Sequence, residues 1–316
     1  MKKILAALLS VVILVGMTTG CASGGSADKS SKKHYTFGFT AFTMNNPFIT
    51  YLNTTLKQQI EKNGDKLITT DPAQDPQKQI DQINDLISQN IDALFLCPVD
   101  VKGIAPALAA LKAAKIPVIN YDTAVSDLSS VDTYITTDNF KAGQEVGEDM
   151  VKRFPQGGDI IVLDTPTLEA VTNRINGVKD AIKGHNFKIV AEQNGQCNIQ
   201  TAMQVTQDIL QQHSDAVAIV GGNDPMALGA LSAVKAANAT KPVIYGIDGS
   251  PDAKQQIAAG SQIVGTAAQS PKNEALTCAE TAYKILKGQA FEKRINIAPT
   301  LINKDNLSQF GTNSWQ

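Results

Sequence analysis

Polar side chains follow the apolar runs of this 316-residue chain in a recurring way. Asn45 and Asn46 come after "YTFGFTAFT", Asp122 just after "IPVIN", Asn223 after "AVAIVGG", Asp248 after "VIYGI" and Gln269 after "IVGTAA". Each run has the composition of a β-strand, so each amide or carboxylate stands at a strand exit. An aspartate accepts from two adjacent hydroxyls, an asparagine or glutamine donates and accepts at once, and the ring of Phe48 offers a face for C–H groups. Together they suit an uncharged, hydroxyl-rich guest, a sugar or polyol. Asp122 and Asp248 also admit an acid and base pair acting on carbohydrate, so a secreted enzyme is the alternative, although neither a histidine nor a glutamate occupies an exit. No G-x-G-x-x-G or G-x-x-x-x-G-K-[ST] follows any strand, which speaks against a phosphorylated guest.

Local structure competes for several of these residues. Asn46 before Pro47, Asn223 with Asp224 before Pro225, and Ser250 before Pro251 all fit helix starts, and Asp248 sits in "GIDGSPD", where a turn favours Asp and Gly. Asp122 and Gln269 are explained least by turns or caps.

The elements that must carry these exits alternate at the period of βα units. Strands are expected at 36–41, 66–70, 93–97, 117–120, 133–136, 159–163, 187–192, 216–220, 243–247 and 263–268. Helices lie between them. Ile80, Ile83, Leu86 and Ile87 share one face of "DPQKQIDQINDLISQNID", as do Ala142, Val146 and Met150 in "NFKAGQEVGEDMVKRF". Apolar strands with amphipathic helices between them imply α/β architecture with parallel sheets covered on both sides. Ten strands exceed one ordinary sheet, and a polar loop in "VSDLSSVDTYITTDN" places a domain crossing near Thr137. In such sheets ligands bind beyond the carboxyl ends of the strands.

The formal charge is −2, from 28 basic and 30 acidic residues, and becomes −4 if Lys2 and Lys3 leave with a leader. No nucleic-acid surface is implied. Residues 1–20 have the form of a signal peptide: two lysines, the short apolar run "ILAALLSVVILVG", then "MTTGC". The ending resembles the bacterial lipoprotein signal, with Cys21 as the lipidated N-terminus and Thr18 where leucine is usual; plain secretory cleavage is the alternative. Residues 21–34 then form a tether to a membrane surface. Cys97, Cys197 and Cys278 lack metal or disulfide spacing and are expected as packed thiols, and the three histidines lie far apart. Neither metal nor cofactor is called for.

"MNNPF", "PVINYD", "GGNDPMALGAL", "YGIDGSPDA" and "TAAQSP", in that order and spacing from about Tyr35 to about Ile302, resemble the ribose-binding branch of the type I periplasmic sugar-binding proteins. The resemblance implies two Rossmann-like lobes joined by three crossovers near Thr137, Gln269 and Ala298. The N-terminal lobe would hold 35–137 plus 270–297 and the C-terminal lobe 138–269 plus 298–316, with a sugar between them. It implies ligand contacts at Asn46, Phe48, Asp122, Asn223, Asp248 and Gln269. It also implies an ABC permease as partner, an extracytoplasmic location, a monomer, and no enzymatic activity; a chemoreceptor or kinase could read the same closed form. Departures alter the expected guest. Ile49 replaces a second aromatic ring, Thr123 replaces an arginine after the cleft aspartate, Cys197 replaces another ring and Thr172 another arginine. Arg174, two residues on, and Phe42, at the end of the first strand, are candidate substitutes. Ribose itself is therefore doubtful, and other pentoses, hexoses, sugar alcohols, cyclitols and furanosyl compounds stay open. A sugar-responsive repressor shares the core but would carry a DNA-binding segment where this chain has its export signal.

Overall fold

The computed structural model describes residues 34–315, and within them two six-stranded sheets form in succession. The first receives β1 (Thr36–Thr40), β2 (Lys66–Thr69), β3 (Ala93–Leu96), β4 (Val118–Tyr121) and β5 (Thr133–Thr137), with helices α1 (Pro47–Lys62), α2 (Pro76–Ser88) and α3 (Ala105–Ala113) between strands. The second follows the same plan: α4 (Asn139–Arg153), β6 (Gly158–Asp164), α5 (Glu169–Ala181), β7 (Phe187–Asn194), α6 (Ile199–Leu210), β8 (Ala218–Gly221), α7 (Asp224–Ala236), β9 (Val243–Asp248), α8 (Pro251–Ala258) and β10 (Ile263–Ala268). The chain then returns through α9 (Pro271–Leu286) and β11 (Arg294–Ile297) and ends with β12 (Thr300–Asn303).

Strand order is β2-β1-β3-β4-β5-β11 in one sheet and β7-β6-β8-β9-β10-β12 in the other, the same doubly wound order twice. Every pairing is parallel except that of β12 with β10. The main chain passes between the sheets three times: from β5 into α4, from β10 into α9, and from β11 to β12. The expected signal peptide, Cys21 and all of the expected tether but His34 lie outside the described residues. Within them, no helix is long and apolar enough to cross a membrane.

The ten strands expected from sequence all form, with ends shifted by two residues at most. β11 and β12 were not expected. Both are edge strands, half-exposed and separated by Ala298 and Pro299, so neither shows the buried apolar run that marks the others. The helices turn the predicted faces inward: Ile83 and Leu86 on α2 are buried with Ile80 and Ile87 half-buried beside them, and Ala142, Val146 and Met150 on α4 are buried.

One helix pair fixes the position of a site residue. A β-carbon on Gly143 would lie 1.8 Å from the carbonyl oxygen of Arg174, and one on Gly177 would lie 2.0 Å from that of Phe140. Only glycine at these positions lets α4 and α5 approach so closely, and the approach sets where Arg174 starts. Gly177→Ala separates two effects. Helix propensity alone would stabilise by up to ~1 kcal/mol, whereas backbone overlap costs about 1–3 kcal/mol. The expected result is a melting temperature several degrees lower by calorimetry; an unchanged or raised value would show that the helices can move apart freely.

Candidate functional site

The exits of both sheets open on one gap. Asn46 caps α1, its Oδ1 accepting from the backbone N–H groups of Phe48 at 2.9 Å and Ile49 at 3.3 Å. Asn223 caps α7 in the same manner, accepting from Met226 N–H at 3.0 Å. In both, the oxygen serves the helix and the NH2 group is left for the gap. Capping and facing the gap are therefore compatible roles, not rivals.

The two aspartates are held by their backbones. Asp122 has a left-handed φ of 56°, a conformation Asp tolerates better than most residues, and it turns the chain out of β4. Its N–H donates to Ile135 O at 3.0 Å and Glu274 Oε1 at 2.8 Å, while its carbonyl accepts from Tyr134 Oη at 2.8 Å and Thr136 Oγ1 at 2.7 Å. Asp248 sits at φ 153°, in a region that disfavours side chains, and its carboxylate accepts from Gln269 Nε2 at 2.8 Å and Asp224 N–H at 3.3 Å. Four contacts hold the Asp122 backbone in place, and Asp248 keeps a conformation that costs free energy.

Arg174 lies between them. Its Nε donates to Asn139 Oδ1 at 2.7 Å and its Nη1 to Gly222 O at 3.0 Å. Nη1 stands 3.5 Å from Asp248 Oδ1 in one lobe and Nη2 3.9 Å from Asp122 Oδ1 in the other, with the side chain almost wholly buried. These are ion pairs at loose spacing, too long for strong hydrogen bonds. Nη2 in particular keeps its donors open.

Phe42, Asn46, Phe48, Asp122, Thr123, Arg174, Asn223, Asp248 and Gln269 all line this gap, so the structure brings every candidate ligand-contact residue to one place. Leu168, Ala170, Val171 and Cys197 complete the wall. The first three were not singled out from sequence: they open α5, and nothing in an apolar helix start distinguishes a cavity wall from a core contact. Ile49 is fully buried away from the gap. Only about 20 Å³ of free volume remains between these side chains, far below the roughly 300–1,000 Å³ typical of drug-sized ligands, so the walls must separate to admit a ring.

Burial dominates the electrostatics. It raises the carboxyls of Asp122 and Asp248, the latter to about 8, while Arg174 pulls both back. Asp224, whose oxygens accept from Thr266 Oγ1 at 2.6 Å and Ser250 N–H at 2.7 Å, is raised by burial as well. Glu274 is raised well above its usual range by burial and then by Asp122, and its Oε2 has no partner. Burial also lifts the thiols, Cys97 well above its ordinary value and Cys197 to about 12, so they pack rather than react at neutral pH. Among the described residues no cluster of three or more metal-ligating side chains occurs. Glu274 was invisible in sequence because its contact with Asp122 spans 152 positions.

Known proteins share this fold. Residues 37–290 match the family described as periplasmic binding protein domain. The ribose import binding protein of Haemophilus influenzae is 31% identical over 292 residues, covering 92% of this chain and 99% of its own, and that of Bacillus subtilis is 29% identical over 302 residues, covering 94% and 97%. A solved ABC transporter solute-binding protein from Mycobacterium smegmatis, with bound glycerol, superposes with a TM-score of 0.85 at 31% identity, covering 90% of this chain and all of its own. The myo-inositol-binding protein of Caulobacter, bound to myo-inositol, gives 0.83 at 28% identity, covering 88% of this chain and 96% of its own. The chain belongs to the periplasmic binding protein family, in its type I sugar-binding branch.

Proposed function

We propose that this protein is the extracytoplasmic receptor of an ABC importer, and that it captures one uncharged sugar or polyol by closing two lobes around it. The observation that carries this reading is the gap itself: side chains from both sheets converge there with hydrogen-bonding capacity their own fold does not use. The NH2 groups of Asn46 and Asn223 and Nη2 of Arg174 are donors, and the buried Oε1 of Gln269 is an acceptor without a partner. Phe42 and Phe48 supply ring faces, and Thr123 a hydroxyl. A polyhydroxy compound matches each of these groups, whereas an anion would meet the carboxyls of Asp122 and Asp248.

Closure follows from how the groups are divided. In an open form each lobe keeps its polar set in water. A ligand bridging both adds contacts available only in the closed form, and that differential affinity shifts the population. No bond needs to be made or broken, in keeping with a family of binding proteins, and an enzymatic role for Asp122 and Asp248 has no support from a guanidinium lodged between them. The closed surface is what a membrane permease would recognise. The finer reading of location is a monomeric lipoprotein held at the membrane by Cys21, supported by the "MTTGC" ending and the polar tether after it. Cys21→Ser is expected to move the protein from the membrane fraction to the medium or periplasm; unchanged partitioning would remove the anchor.

A thermal-shift screen of ribose, allose, arabinose, galactose, fucose, xylitol and myo-inositol tests the central reading. At least one is expected to raise the melting temperature by several degrees at saturation; none doing so would refute it. Asn46→Ser then separates cap from site. Ser caps about as well as Asn and adds no charge, so ligand-free stability is expected to stay within about 1 kcal/mol. Calorimetric affinity should fall tenfold or more, since the NH2 donor is lost and one ligand hydroxyl loses its partner at about 1–3 kcal/mol.

The Glu274 proton gives a pH prediction. Its carboxyl is raised in the folded protein, so the folded state holds a proton that the unfolded chain releases above about pH 4.3. Stability from this group is full below that pH and is lost as pH rises, by up to ~1.4 kcal/mol per unit. Glu274→Gln cannot release the proton. Its melting temperature is expected to fall less than the wild type's between pH 5 and 8; parallel curves would show that Glu274 is ionised when buried.

A further inference from the structure

The last described residue reaches across the gap. Trp315, the only tryptophan in the chain, sits at the end of the segment after β12, which belongs to the second sheet. That segment is tied to α8 of the same lobe: Lys254 Nζ donates to Ser314 O at 2.5 Å and Gln255 Nε2 to Thr312 O at 3.4 Å. The indole packs on α1 of the other lobe. Its ring centroid lies 5.9 Å from Phe48, edge to face at 77°, and 6.0 Å from Tyr51. Phe48 has one side toward the sugar cavity and the other toward Trp315, which borders an adjoining gap with Pro47, Ile199 and Pro251.

We propose that Trp315 is a positioning residue for the ligand site: a strap anchored on the C-terminal lobe that grips α1 on closure and holds Phe48 in place as a cavity wall. The anchor and the grip are in different lobes, so the ring contact exists only when the lobes meet. Any free energy it contributes therefore favours the closed form and adds to ligand affinity without touching the ligand. Edge-to-face packing of this kind fixes the orientation of the partner ring as well as burying it.

This inference rests on the receptor reading above, and its test uses the sugar or polyol from that screen that stabilises the mature protein most. As the only tryptophan, Trp315 reports on itself. Saturating ligand is expected to shift its emission to the blue and reduce quenching by acrylamide. Trp315→Ala is expected to raise Kd about tenfold, mainly through faster dissociation, with the ligand-free melting temperature little changed; Trp315→Phe should restore affinity to within about threefold, since a ring can still pack on Phe48. A purely structural role would lower the ligand-free melting temperature and leave Kd alone. Unaltered emission and quenching in the wild type on adding a stabilising ligand would overturn the strap even if Trp315→Ala failed to fold, and so would an unchanged Kd in a folded variant. Absence of any stabilising compound in the screen would overturn this inference together with the receptor reading, an outcome distinct from the other two.

Discussion

A single buried guanidinium is the constraint on which the rest depends. Arg174 lies among four buried carboxyls, those of Asp122, Asp224, Asp248 and Glu274, in a place where an unpaired charge would cost several kcal/mol. Its charge is shared between an aspartate of each lobe, and its other donors go to Asn139 and the Gly222 carbonyl. That position requires α5 to lie unusually close to α4, which is why Gly143 and Gly177 face carbonyl oxygens at distances no side chain would permit. The glycines, the helix crossing and the ion pairs form one chain of cause. With the carboxyls raised by burial and the one guanidinium already shared between two aspartates, the packing leaves no free cation for an anionic guest, which supports the uncharged guest proposed above.

The economy of the strand exits follows from the same geometry. A helix beginning beyond a parallel strand needs acceptors for its first N–H groups, and Asn46 and Asn223 provide them through Oδ1. An aspartate would cap equally well but would present a second oxygen, not an NH2 group. Choosing asparagine at two caps, beside two carboxylates, balances donors against acceptors around the gap. The fold and the proposed recognition thus draw on the same two residues through different atoms.

Much of this was legible in the sequence because it is local. A buried parallel strand writes itself as a short apolar run, a cap as Asn before Pro, and the strand exits follow by counting; hence Asn46, Asp122, Asn223, Asp248 and Gln269 could all be placed at one edge of the sheets. What escaped was either non-local or weakly patterned. Glu274 touches Asp122 across 152 positions, and its place in "SPKNEAL" reads as a helix start. β11 and β12 are half-exposed edges of four residues separated by Pro299; Arg-Ile-Asn-Ile alternates, but over too short a run to stand out, and β12 does not alternate. Leu168 and Val171 belong to a wall completed by residues distant in sequence, such as Phe42, Asp122 and Gln269, and Trp315 meets Phe48 only after the whole chain has folded back. The resemblance to a family carried Arg174 only as a substitute two residues out of place; the helix crossing accounts for how it reaches the gap.

An empty closed form should be unfavourable, and the reason lies in Gln269. Its Nε2 is committed to Asp248, while its Oε1 is buried with no donor. Leaving such an acceptor dry costs about 1–3 kcal/mol, and the loosely spaced Arg174 contacts recover little of it. An open form wets the oxygen and removes the penalty; a ligand hydroxyl donating to it does the same with the lobes shut. On the proposed function such an acceptor, wherever closure strips its water, acts as a discriminator, raising the free energy of closure without a guest and leaving closure with one unaffected. A permease that recognises only the closed surface would then meet mostly loaded receptor, a distinction achieved by one unsatisfied atom at the hinge side of the gap.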